Sequence, residues 1–391
     1  EEAMAGRWQP GGRPYASLEA VLTQEASPAY VLLGPPGSGK SSLLRHLDLS
    51  YAQRGLADPE APLVFLTELN AYSAAAGGAE AHPAGPALDW LARRWQAFAP
   101  ELEPLPRLMQ QGRVVLLLDG LNELPHQSPA EYRRKILEWR RLLAWTAGEA
   151  PACRLVFTCR SLDYSAPLSS PQVRVPQLRI EALDDEAIRA MVARYGGQGA
   201  EALWRRLEGS PLLTLVRNPF LLRLLIEVEG RAGAQDLPAG QAALITAFLR
   251  EALRRELERE HPALGGDRLL SRSDQRRLTL GRWAHAHALP DDGFGCVALT
   301  RLALGMQATE GRDRANQLRL TRAAVAALSG LDADDAETLI QAGLALAVLD
   351  EDPADDGISF FHQRFQEYFA ARGLAAAGGA DLAAKLERPW R

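Results

Sequence analysis

Gly34-Pro35-Pro36-Gly37-Ser38-Gly39-Lys40-Ser41 is the stretch from which the rest of this 391-residue chain can be read. It fits the pattern of Gly, four residues, Gly, Lys, then Ser or Thr. Each residue type has a physical task in such a loop. Glycines let backbone N–H groups converge on phosphate oxygens, and a helix beginning at the lysine adds its positive N-terminal end. Lys40 would bridge the β- and γ-phosphates, the Ser41 hydroxyl would ligate Mg²⁺, and Ser42 would fall in the same first turn. Only Lys40, Lys135 and Lys385 are lysines, so a chance match is roughly a one-in-several-hundred event. The rival reading is an ordinary Gly-rich turn.

Working outward, Tyr30 to Leu33 is a short apolar run that delivers the chain into this loop. Similar runs recur at Leu63 to Leu66, Val114 to Leu118 and Leu155 to Thr158, with amphipathic stretches such as Ser41 to Leu49 and Tyr132 to Trp145 between them. Buried strands alternating with helices indicate a parallel sheet with helices on both faces. The segment from Tyr72 to Pro86 is punctuated by Ala, Gly and Pro and is expected to be a surface loop.

Two of these strands end on chemistry. Val114-Val115-Leu116-Leu117-Leu118 runs into Asp119-Gly120-Leu121-Asn122-Glu123. An acid at the carboxyl end of a parallel strand lies beside the phosphate loop, where Asp119 would hold Mg²⁺ through water. Glu123 would orient or deprotonate an attacking water. The plainer alternative is that both acids solvate a strand end. Leu155 to Arg160 brings a third strand to the same edge with Arg160 at its tip, where a cation would contact a γ-phosphate; in an arginine-rich chain the alternative is a surface arginine. No lysine lies in the Asn-Lys-x-Asp context that recognises guanine, and the transporter signature Ser-Gly-Gly-Gln is missing, so ATP is the expected nucleotide.

Composition narrows the class further. Hydrophobic residues make up 47% and charged residues 24%, as in a folded globular protein. The 44 basic and 49 acidic residues leave a net charge of −5, so no overall field favours nucleic acid or an anionic membrane. Three cysteines with no paired spacing form no disulfide framework and point to a reducing, cytoplasmic compartment. No apolar run approaches the ~18 residues of a membrane span. His285 and His287 lack ligand spacing, so no metal beyond Mg²⁺ is expected.

Beyond Arg160 the pattern becomes helical. Asp184 is placed to cap a helix through Ile188, Met191 and Val192 that stops at Gly196-Gly197. Leu244, Ile245, Phe248, Leu249, Leu253 and Leu257 repeat at helical spacing. Near the end, Leu344 to Leu349 and Ile358 to Phe361 flank the acidic turn from Asp350 to Gly357, the pattern of a β-wing. The expected organisation is a nucleotide-binding domain over residues 1–182, a small helical domain over 183–238, a winged-helix domain over 239–375, and the start of a C-terminal region at 376–391. A chain that opens on Glu1 is expected to be part of something longer.

The set resembles the NACHT domains of the STAND class of signal-transduction ATPases, a group that includes animal NOD-like receptors and bacterial defence proteins. The resemblance covers roughly residues 28 to 375. It rests on the phosphate loop, on Asp119-Gly120-Leu121-Asn122-Glu123-Leu124, on Thr158-Cys159-Arg160, on Asn218-Pro219-Phe220-Leu221-Leu222, and on Phe361-His362 through Ala371. It implies an AAA+-like P-loop NTPase domain in which Pro219 sits against adenine and His362 reaches the β-phosphate of ADP. Many relatives carry a second acid where this chain has Asn122. Read without the family, Pro219 is a helix-start proline, His362 an ordinary histidine, and Phe361, Phe365, Tyr368 and Phe369 a core stripe.

What the resemblance implies is an ATP/ADP-dependent switch that hydrolyses ATP slowly and self-associates on activation. A trigger and an effector would lie outside this segment, and bacterial antiphage immunity or programmed cell death would be the setting. The rivals are an AAA+-type motor and an ATP-linked winged-helix DNA-binding regulator. Against the latter, residues 240–372 hold 16 arginines and 20 acids, with the proposed wing the most acidic stretch, so direct nucleic-acid binding is not expected.

Overall fold

Five short strands, each bounded by glycine, proline or a charged residue, build the first half of the molecule. The computed structural model describes residues 13–73, 82–126, 128–161, 163–232, 237–307, 319–352 and 357–377. The chain divides into two compact units, Glu1–Glu181 and Ala182–Arg391.

In the first unit the order is α1 (Leu18–Gln24), β1 (Ala29–Gly34), α2 (Lys40–Ala57), β2 (Leu63–Glu68), α3 (Pro86–Phe98), α4 (Leu105–Gln110), β3 (Val114–Asp119), α5 (Pro129–Glu149), β4 (Arg154–Arg160) and β5 (Gln177–Arg179). The strands form one sheet in the order β2-β3-β4-β1-β5, with every pairing parallel. The four strands read from the sequence are present, each slightly longer than its apolar run. β5 was not legible, because three residues of mixed polarity carry no periodicity; β1 defines it, through Val31 N–H to Pro176 O at 3.0 Å and Ile180 N–H to Leu33 O at 2.9 Å.

Alternation along the strands separates two cores. Tyr30, Leu32, Val115, Leu117 and Val156 face α1 and α2, packing with Leu18, Val21, Leu44 and Leu47. Val31, Leu33, Leu116, Leu118, Leu155 and Phe157 face the other side, against Trp90, Trp95 and Trp139 of α3 and α5. Removing one of these fully buried leucines, Leu116 for instance, would cost about 2–5 kcal/mol. The segment expected to be a surface loop is anchored at both ends: Tyr72 and Ala84 are buried, because the Tyr72 ring packs edge-on to Trp90 at 5.3 Å and its hydroxyl donates to Glu138 at 2.5 Å. Residues 74–81 of that segment lie outside the described residues.

The second unit is helical. It runs α6 (Asp185–Tyr195), α7 (Ala200–Leu207), α8 (Pro211–Val216), α9 (Pro219–Ala232), α10 (Gln241–Glu258), α11 (Arg272–Leu280), α12 (Phe294–Gln307), α13 (Arg322–Ser329), α14 (Ala333–Ala345), β6 (Leu349–Asp352), β7 (Gly357–Phe360) and α15 (Gln363–Ala377). Asp184 caps α6 by accepting the Ala187 N–H at 2.8 Å, and Gly196 ends the helix. One continuous core extends from Ile188 through Leu222, Phe248 and Leu299 to Phe369.

Two details depart from the sequence reading. Leu344 belongs to α14 rather than to the strand, which starts only at Leu349 after a left-handed residue, Ala347. Asp350, Glu351 and Asp352 are strand residues antiparallel to β7, with Asp352 opposite Gly357; residues 353–356 are outside the described residues. Phe361 is 41% exposed whereas Phe365, Tyr368 and Phe369 are buried, because Phe361 precedes α15 and so leaves the helical stripe. Among the described residues, no helix is long and apolar enough to cross a membrane.

Candidate nucleotide-binding site

The chain leaves β1 at Gly34 and re-enters regular structure at Lys40, the first residue of α2. Gly37 (φ 78°) and Gly39 (φ 93°) occupy left-handed conformations that glycine alone adopts freely, and Gly39 is the N-cap. The loop folds back tightly, since a Cβ on Gly34 would come within 2.5 Å of Ser38 Oγ. Ser38 N–H donates to Pro35 O at 3.2 Å, and Lys40 Nζ donates to Gly34 O at 3.0 Å and to Pro35 O at 3.1 Å. Burial, and then the nearby Arg160, push the Lys40 ammonium below the usual lysine range.

The other predicted residues of this unit converge on the same edge. Register pairs Gly34 with Arg160 and Glu68 with Asp119. By the alternation that turns Leu66, Leu117 and Val156 toward α2, the residues Glu68, Asp119, Thr158 and Arg160 lie on the face that carries the phosphate loop. β4 stands between β1 and β3, so Arg160 is the immediate neighbour of the loop and Asp119 comes next.

Side chains then tie β3 to β4. The Thr158 hydroxyl donates to Asp119 Oδ1 and accepts the Gly120 N–H at 2.8 Å. Gly120 (φ 81°) turns the chain into a short 3₁₀ turn, Leu121–Glu123, that brings Glu123 back to the edge. Glu123 Oε1 lies 3.6 Å from Arg160 Nη2, and Asp163 Oδ2 lies 3.6 Å from Arg160 Nη1. Burial pushes the Glu123 carboxyl up to about 7; Arg160 works against the rise while Asp119 and Glu68 add to it. A carboxyl poised near neutrality is suited to taking a proton from water.

Residues 29–198 match the family model of the NACHT domain. They form a NACHT domain. The match begins at the first residue of β1 and ends three residues beyond α6. No curated protein matches the chain. Among solved structures, a Walker-type ATPase of Pyrococcus abyssi is similar over 91% of this chain and 98% of its own, at 15% identity and a TM-score of 0.37. The Orc1 protein of Aeropyrum pernix, solved in complex with DNA, is similar over 92% and 90%, at 12% identity and a TM-score of 0.32. RuvB of Thermotoga maritima is similar over 90% of each chain, at 14% identity and a TM-score of 0.28.

The donor set of the NACHT domain suits a nucleotide triphosphate with Mg²⁺. Ser38 Oγ is buried without a hydrogen-bond partner, the first N–H groups of α2 have no intrahelical acceptor, and Lys40 supplies a partly desolvated cation. Ser41 and Asp119 would hold the metal, whose contribution is to neutralise phosphate charge. Pro35, Ser41 and Ser42 are exposed at the mouth of the loop, and Pro36 is half-buried.

Pro219 and His362 lie in the second unit, beyond the NACHT match, and the structure brings them to one place within it. Asn218 Oδ1 accepts the Phe220 N–H at 3.1 Å, making Pro219 the opening residue of α9. The His362 ring stacks on Phe220 with centroids 3.8 Å apart and 9° between planes. Arg364 N–H donates to His362 Nδ1 at 3.0 Å, which leaves the ring proton of a neutral imidazole on Nε2.

Sequence reasoning missed Glu68 and the connecting roles of Thr158 and Asn122. Glu68 carried a usable signal, an acid at the carboxyl end of an apolar strand like Asp119. The Thr158 and Asn122 contacts carried none, because each spans 38 or 39 residues of chain.

Proposed function

We propose that this chain is an ATP/ADP-dependent conformational switch that binds ATP, hydrolyses it slowly, and thereby controls self-association of a signalling protein. The observation that carries the reading is the gathering of the phosphate loop, Asp119, Glu123 and Arg160 at one edge of a NACHT domain sheet. Slow turnover is supported by the state of Glu123. The carboxylate faces the Arg160 guanidinium at 3.6 Å, and that pairing occupies it until the arginine turns to a phosphate.

A switch needs a part outside the catalytic edge that responds to the nucleotide. Pro219 and His362, the latter stacked on the residue that follows Pro219, are the proposed adenine and β-phosphate contacts of the ADP form. Residues 183–238 would then act as a small helical domain and 239–375 as a winged-helix domain with β6 and β7 as its wing. The trigger and effector would lie outside this segment, and cytoplasmic bacterial immunity or cell death is the proposed setting, by analogy with the family.

The test is to identify the small molecule released on denaturing the purified protein and to measure turnover. ADP retained through purification, with far less than one turnover per minute, is the expected result. Steady turnover with no retained nucleotide would indicate a motor, and salt-sensitive binding of random duplex DNA would indicate the DNA-binding regulator.

A further inference from the structure

The ladder between β3 and β4 ends early. Its last pair is Leu118 with Phe157, three residues short of Arg160. On its other side Arg160 is still paired with Gly34 of β1. The main chain at the tip of β4 therefore has a strand on one side only. On the open side Asn122 reaches across and its Oδ1 accepts the Arg160 N–H at 3.1 Å. One side chain from the turn after β3 thus takes the place of the missing strand residue.

Two side-chain pegs consequently join the same two chain ends in opposite directions. Thr158 of β4 holds Asp119 at the end of β3 and Gly120 just after it, and Asn122 of the turn holds the backbone of Arg160. The second peg acts on the residue whose guanidinium is shared between Glu123 and Asp163. Its direction also defines what position 122 must supply. The bond uses the side-chain oxygen as acceptor, so a carboxylate would serve the Arg160 N–H as well as a carboxamide.

We propose that Asn122 is a positioning residue whose side-chain oxygen, by fixing the Arg160 main chain, sets the guanidinium where it reads the terminal phosphate of a bound triphosphate. The proposal rests on the nucleotide site proposed above and assigns position 122 a task that does not require a second acid. A diphosphate lacks the group that Arg160 would meet, so losing the peg weakens triphosphate binding selectively.

The test is calorimetric titration of the full chain with ATPγS and with ADP, each with Mg²⁺. Asn122→Ala should lower the ratio of ATPγS to ADP affinity roughly tenfold, the effect of one lost charged hydrogen bond, with ADP affinity unchanged within about twofold. Asn122→Asp should restore the ratio to within about threefold of wild type. Asn122→Ala combined with Arg160→Ala should be no worse than Arg160→Ala alone, because both act through one contact. The proposal is overturned if Asn122→Ala keeps the wild-type ratio, if Asn122→Asp is as impaired as Asn122→Ala, or if ADP weakens in parallel. A wild-type chain that binds neither nucleotide overturns the site itself, whereas normal binding with an indifferent Asn122→Ala overturns this inference alone.

Discussion

Arg160 holds Glu123 on one side and Asp163 on the other, each 3.6 Å from a guanidinium nitrogen. The same arginine is the register partner of Gly34, where the phosphate loop begins. A cation shared between two carboxylates beside a phosphate-binding loop is a built-in competition, since a terminal phosphate offers Arg160 a stronger, bidentate partner. If a bound phosphate drew Arg160 away, the Glu123 carboxylate would be freed for water. On the proposed reading, this exchange would link nucleotide state to the readiness of the base.

Glu123→Gln tests the base directly. Hydrolysis of ATP should fall about 10²- to 10⁴-fold while ATP binding persists, because the amide keeps the shape and loses the proton acceptor. Single-turnover kinetics with radiolabelled ATP provides the measurement, and any assembled form should accumulate with ATP. Undiminished hydrolysis would remove Glu123 from the mechanism.

The raised Glu123 pKa also has a signature in the protein without nucleotide. The folded carboxyl binds its proton more tightly than the unfolded one, with a pKa of about 7 against 4.5. Its stabilising contribution is complete below about pH 4.5 and is lost as pH rises through about 7. Gln does not titrate. The melting temperature of Glu123→Gln should therefore gain on wild type between about pH 5 and 7 and level off above, as followed by thermal unfolding. A difference that stays flat across that window would mean an ordinary carboxylate.

Lys40→Ala should abolish stabilisation by nucleotide. A ligand at a hundredfold excess over its Kd stabilises the folded form by about 2.7 kcal/mol, and that increment should vanish while the unliganded protein stays folded. Thermal shift with ATP or ADP reads it. The ammonium donates only to the loop carbonyls of Gly34 and Pro35 in the described contacts, so the fold does not lean on it.

Thr158→Val keeps the shape of the side chain and removes the hydroxyl, orphaning the buried Gly120 N–H and a partner of Asp119. The cost should be about 1–3 kcal/mol in urea unfolding, whereas Thr158→Ser should lose far less. Equal losses in the two variants would show that packing, not the hydroxyl, matters at this position.

In the second unit, Phe220→Ala removes the ring on which His362 stacks and which meets Phe365 edge-on at 5.6 Å. A half-buried aromatic of this kind should contribute about 2 kcal/mol to stability. His362→Ala should weaken ADP binding, at a cost to stability of about 1 kcal/mol from the lost stack and the orphaned Arg364 N–H. Unaltered ADP affinity would return His362 to the role of a packing residue.

The sequence by itself determined the loop and the strands that carry it. Gly34 to Ser41 is a local pattern whose glycines and lysine sit at fixed spacing, and runs such as Val114 to Leu118 are apolar enough to be buried on both faces of a sheet, so short-range chemistry suffices for both. The acids and the arginine at strand ends were legible for the same reason. Tertiary structure alone decided that β4 lies between β1 and β3, which makes Arg160 rather than Asp119 the neighbour of Gly34. It alone decided that Thr158 grips Asp119, that Asn122 grips the Arg160 backbone, and that Phe220 meets His362 across 142 residues of chain. Strand order and side-chain pairing at that separation depend on how helices pack over a sheet, and no repeat or spacing along the chain encodes the distances that result.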